Sequence, residues 1–125
     1  MFELNPSPTF WAPVHLTVPG ERDLATLELQ FNHKTKVEIA HFLEKGKPQI
    51  GDDGKVAVRT PEEVFAQDLG AVMEAVSDWK MKDKDGTPVE FNEANMAILL
   101  ANYPTAAAEI LGSYIKALTV SKRKN

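Results

Sequence analysis

The sequence predicts an α+β fold: an N-terminal β-hairpin, with room for a short third strand, packed on about four helices that dominate the C-terminal half. Three observations predict it. Apolar residues alternate at Val14, Leu16 and Val18 and again at Leu27, Leu29 and Phe31, on either side of a turn at Pro19-Gly20-Glu21-Arg22-Asp23. Helix-start residues then recur at Thr35, Thr60 and Asn92. Downstream of each, the apolar spacing changes from steps of two to steps of three and four. The stretch from Val76 to Leu118 holds one of the two tryptophans, both tyrosines and the cleanest helical periodicity.

Residues 1–13 carry Pro6, Pro8 and Pro13, which hold an extended arm and keep it out of a central strand. Residues 14–32 form the hairpin, its apolar face turned toward the rest of the chain. Thr35 caps the first helix, with Glu38 completing a capping box and Gly46 at the C-terminal end. Val37, Ile39, Ala40, Phe42 and Leu43 form its apolar stripe. The following loop, turned by Pro48, Gly51 and Asp52-Asp53-Gly54, offers Val56 and Val58 as a short edge strand. Thr60 and Pro61 start the second helix, with Glu62 and Glu63 in its first turn. Val64, Phe65, Leu69, Val72, Met73 and Val76 carry it to Trp79. A polar connection turns at Asp85-Gly86. Asn92 caps a third helix expected to face Ala94, Ala97, Ile98, Leu100 and Ala101 inward. Pro104 separates it from a last helix with Ala107, Ile110, Leu111, Tyr114, Ile115 and Leu118 on one face. Residues 33–121 are thus mainly helical, 122–125 are a basic tail, and 1–125 read as one domain.

A length of 125 residues is enough to bury a core without staples, and the absence of cysteine excludes disulfides, thiolate zinc sites and a cysteine nucleophile. A net charge of −4 argues against a broad phosphate-binding surface. Lys34, Lys36, Lys45 and Lys47 surround the first helix, but Glu38 and Glu44 interrupt them and no aromatic residues interleave, so no nucleic-acid partner is expected. The apolar runs are too short for a bilayer span, and no basic segment precedes an apolar one at the N-terminus. A cytoplasmic protein without a membrane partner is the expectation.

No catalytic or metal pattern survives inspection. Glu38 and His41 make one Glu-x-x-His pair, whereas a bundle di-metal site needs two such pairs and two further carboxylates. Aligning Gly86 with the invariant glycine of a calcium loop puts Met81 and Asn92 where a carboxylate and a bidentate glutamate belong. There is no Gly-x-Ser-x-Gly elbow and no glycine-rich phosphate loop. The expectation is a non-enzyme with no cofactor and no metal. The aromatic residues Phe10, Trp11, Trp79 and Tyr103 remain as candidate partner contacts, with staples closing a small core as the other reading.

Taken together, several segments carry a resemblance. They are Phe2-x-Leu4-x-Pro6-x-Pro8-Thr9-Phe10, Val18-Pro19-Gly20-Glu21, Asp78-Trp79, Asp85-Gly86-x-Pro88 with Phe91, then Asn95, Leu99-Leu100 and Tyr103-Pro104-x-Ala106. In order and spacing they resemble the tail assembly chaperones of tailed phages and prophages over nearly the whole chain. The resemblance implies a non-enzymatic role in building a long tail. Such a protein would coat the tape measure protein, keep it soluble in the host bacterial cytoplasm, help recruit the tail tube protein and stay out of the mature virion. It also implies relatives made in two lengths by frameshifting, and self-association through the hairpin edge or the last helix. The alternative is a structural virion part such as a head–tail connector or tail-terminator subunit.

Overall fold

The alternation of apolar residues builds the sheet. The computed structural model describes residues 2–120. In it β1 (Thr9–Leu16) and β2 (Ala25–Asn32) pair antiparallel from Thr9↔Asn32 to Leu16↔Ala25. Ala12, Val14 and Leu16 meet Leu27, Leu29 and Phe31 on the buried face. Gly20 holds the connecting turn at φ 81°, a left-handed conformation that glycine adopts without a Cβ penalty. The strand starts at Thr9, so residues 9–13, expected in the arm, belong to the sheet. Phe10 and Ala12 extend the two-residue period, and Pro13 is tolerated because β1 is an edge strand.

Four helices follow: α1 (Lys36–Lys45), α2 (Pro61–Ala75), α3 (Glu93–Asn102) and α4 (Ala106–Thr119). Thr35 and Thr60 both form capping boxes, with Glu38 and Glu63 respectively. Asn92 caps α3 by accepting from the backbone N–H of Asn95 at 2.7 Å. Of the stripe expected on α1 only Phe42 is buried, while Val37 and Leu43 lie exposed.

Two expectations are corrected. The second helix stops at Ala75, and Val76–Trp79 forms β3, which pairs antiparallel with β2 to give the order β1-β2-β3. The register shifts between Gln30 and Phe31, with Leu29 opposite Trp79 and Phe31 opposite Val76. This bulge turns two residues three positions apart, Val76 and Trp79, into the same core. A three-residue step is also the helical signal, which is why the helix was expected to continue. The third strand therefore lies here and not at Val56 and Val58. Val56 makes only an isolated bridge to Ile50, and Val58 is exposed.

The inner face of α3 is also rotated from the expected one. Met96, Leu99 and Leu100 are buried, with Tyr103 packed against the core, whereas Ala94, Ile98 and Ala101 are exposed. Both stripes contain Leu100, and the one bearing the larger side chains removes more apolar surface from water.

The helices cover one face of the sheet, and Tyr114 of α4 sits at the centre. Its ring centroid lies 5.0 Å from that of Phe31 and 5.6 Å from that of Phe42, and its hydroxyl donates to the Asn32 carbonyl at 2.6 Å. The start of α4 is tied to the end of β1. Thr17 donates to Glu109 through its backbone N–H (3.1 Å) and its hydroxyl (2.6 Å), and Thr105 donates to the same carboxylate at 3.0 Å. Burial works to raise the Glu109 pKa, but these hydrogen bonds outweigh it and hold it below 4.5.

Candidate functional site

α1 touches the rest of the chain through few side chains, and this leaves a groove. Phe42 inserts edge-on against Tyr114. Beside it α1, α2 and α4 diverge around a volume of about 470 Å³, walled by Phe42, Leu43, Ala66, Gly70, Leu111 and Ile115. The polar lining is Lys45, Gln67 and Glu74. These side chains also fasten α1 to α2: the Gln67 amide donates to the Lys45 carbonyl at 3.1 Å, and Lys45 pairs with Glu74 at 2.9 Å. Lys34 binds the other Glu74 oxygen at 2.8 Å, and its ammonium lies 5.2 Å from the Phe42 ring centroid.

Hydrogen bonds from Lys34 and then Lys45 hold the Glu74 carboxyl below its ordinary value of 4.5. A carboxylate with a depressed folded-state pKa stabilises the fold above its unfolded pKa and loses that contribution as pH falls through the folded value. The midpoint of urea unfolding should therefore hold steady down to about pH 5 and fall below it. Glu74→Gln should flatten part of that fall, and a pH series of unfolding curves for both proteins checks it.

Gly70 is the distinctive wall residue. It sits inside α2, where glycine is about 1 kcal/mol less favourable than alanine, yet a Cβ built on it meets nothing within 4 Å of its own chain. Nothing inside the domain requires a glycine there. Filling this space tests the groove without disturbing the core.

The opposite face of the sheet is open. Gln30 donates to Thr9 at 3.2 Å and accepts from Ser77 at 3.1 Å, a polar layer across all three strands. Trp11 stands on this face, 39% exposed, with the Lys80 ammonium 4.6 Å from its ring centroid. The free edge of β1 is interrupted by Pro13, which has no N–H to offer a further strand.

The four aromatic candidates do not form one patch. Phe10 and Trp11 lie on opposite faces of β1, Phe10 half-buried with its centroid 5.8 Å from that of Phe31. Trp79 is only 5% exposed. Its indole N–H donates to the Val89 carbonyl at 2.7 Å and its ring meets Phe91 edge-on at 5.2 Å. Tyr103 is half-buried at the end of α3. Trp11 is the most exposed of the four. Ala66 and Gly70, small residues four apart on one face of α2, were not singled out from sequence. A glycine inside an otherwise good helix was the signal that marked them.

Among the described residues no group of three or more His, Asp or Glu is placed to hold a metal ion, and no helix is long and apolar enough to cross a membrane. The architecture is a two-layer α+β arrangement with an apolar, helix-lined groove on its helical side. The chain belongs to the phage tail assembly chaperone family, whose family model matches residues 1–125. No curated protein and no solved structure matches it. Membership of this family implies protein partners in tail assembly.

Proposed function

We propose that the protein keeps the tape measure protein soluble during tail assembly by seating apolar faces of its amphipathic helices in the α1/α2/α4 groove. The observation that carries this reading is the groove itself, apolar along three helices and edged by Lys45, Gln67 and Glu74, in a chain that matches the chaperone family throughout. A helix-in-groove contact needs such a trough, and a glycine in its wall allows close backbone approach. Trp11, on the open sheet face, is a second contact for the same client or for the tail tube protein. Many copies spaced along one long client would bind with avidity although each contact is weak. The protein would act in the host bacterial cytoplasm and leave before the virion is complete.

Co-expression with the tape measure protein of the same gene cluster, followed by affinity capture and sizing, tests the proposal. The wild type should bring down soluble tape measure protein with several copies bound per chain. Gly70→Gln, which fills the groove, should reduce capture about tenfold or more while leaving the melting temperature equal or higher, since glycine is the weaker helix former. Recovery of this protein as a stoichiometric part of purified tails would instead make it a structural component.

A further inference from the structure

We propose that the same groove takes the N-terminal arm of a second copy of this chain, so that free chaperone forms a reciprocal arm-to-groove dimer and a client helix displaces the arm. The inference rests on the reading of the groove as a docking surface. Before β1, Phe2 is 97% and Leu4 90% exposed, so two large apolar side chains stand in water without packing on their own domain. Pro6 and Pro8 restrict the segment that carries them, which lowers the entropy lost when it is captured.

Charge and position select the arm as occupant. At the Glu74 end of the groove Lys34 and Lys45 both bind the Glu74 carboxylate, and the ammonium of Lys45 keeps N–H donors for a second one. Lys45 is the accessible one of the pair, its side chain 69% exposed against 14% for Lys34. The one charged side chain among residues 2–8 is Glu3, between Phe2 and Leu4. Apolar, acidic, apolar on the arm thus matches an apolar trough edged by an accessible ammonium.

The root of the arm lies beside that end. Thr9 pairs with Asn32, and the Asn32 side chain donates to the Glu74 backbone carbonyl at 2.9 Å. Residues 2–8 extend roughly 20–25 Å at most, so two copies meeting at this end around a two-fold axis place each arm within reach of the other's groove. The rival route, pairing of β1 edges, is hindered by Pro13.

Light scattering on the size-exclusion eluate of the untagged full chain tests this. The wild type should run as a dimer at about 100 µM, as expected for a contact of a few apolar side chains with micromolar affinity. Phe2→Ser with Leu4→Ser should give a monomer with an unchanged melting temperature, because these side chains lie outside the core. Gly70→Gln should give a monomer from the other side of the contact. Mixing the two variants should restore a dimer held by one arm and one groove. Glu3→Lys should weaken the dimer about two- to fivefold, the range of an exposed ion pair. A monomeric wild type overturns the proposal, and so does a Phe2→Ser, Leu4→Ser protein that still dimerises. That arm variant should capture tape measure protein at least as well as the wild type. If no variant captures it while the dimer behaves as stated, the client assignment falls and the arm contact stands.

Discussion

Tyr114→Ala will lower the stability of the domain by about 3–5 kcal/mol, the range for truncating a large buried aromatic side chain. That is a large share of the roughly 5–15 kcal/mol that holds a typical domain together. The Tyr114 ring is completely buried between Phe31 of the sheet and Phe42 of α1, so its removal opens a cavity where three elements meet. α1 has few other attachments and should detach first, exposing the floor of the groove. Tyr114→Phe separates the hydroxyl from the ring. It keeps the packing but leaves the Asn32 carbonyl without this donor, a loss of about 1–2 kcal/mol. Urea unfolding of the three proteins, followed by far-UV circular dichroism, orders them wild type, Phe, Ala. Burial, reinforced by the nearby Glu74 and Glu38 charges, pushes the phenol pKa from 10.0 up to about 12. The unfolded chain therefore loses that proton first. Stability should be whole below pH 10 and decline as pH rises from about 10 to 12, and this alkaline decline should vanish in Tyr114→Phe.

What could be read from sequence was whatever a few neighbouring residues decide. The capping box at Thr35, the caps at Thr60 and Asn92, the turn at Gly20 and the apolar face of α4 are all local, and each is found where its residues predict. β3 was not legible because its identity depends on β2, far earlier in the chain. The residues Val76 and Trp79 fit a helical step as well as they fit a bulged strand, and only pairing with Leu29 and Phe31 separates the two. The groove was hidden for the same reason. Phe42, Gly70 and Leu111 belong to three helices, and no local pattern says that those helices will splay apart. The phase of α3 failed differently: five apolar positions were counted as equal, although alanines bury far less surface than Met96 and Leu99.

The two tryptophans, equivalent candidates in the sequence, should separate completely in experiment. Trp79→Ala should cost about 3–5 kcal/mol, because the indole fills the core under β3 and its N–H holds the Val89 carbonyl. Together with the Phe91 contact, that bond ties the segment after β3 to the sheet, so the polar connection around Asp83 and Gly86 should loosen as well. Trp11→Ala should change stability by no more than about 1 kcal/mol, the scale of an exposed cation–π contact with Lys80. Fluorescence makes the assignment direct. Trp11→Ala should leave a blue-shifted emission poorly quenched by acrylamide, whereas Trp79→Phe, which keeps much of the packing, should leave a red-shifted and readily quenched one. Capture of tape measure protein then carries the functional half of the contrast. A folded Trp11→Ala protein that captures tape measure protein several-fold less well assigns the open sheet face to the proposed binding, and undiminished capture removes Trp11 from it. Trp79 gives no such readout, because its indole is buried and its truncation acts on stability rather than on a surface that a partner reaches. Burial, which no tryptophan announces in its own sequence neighbourhood, decides which of the two is structure and which is available for recognition.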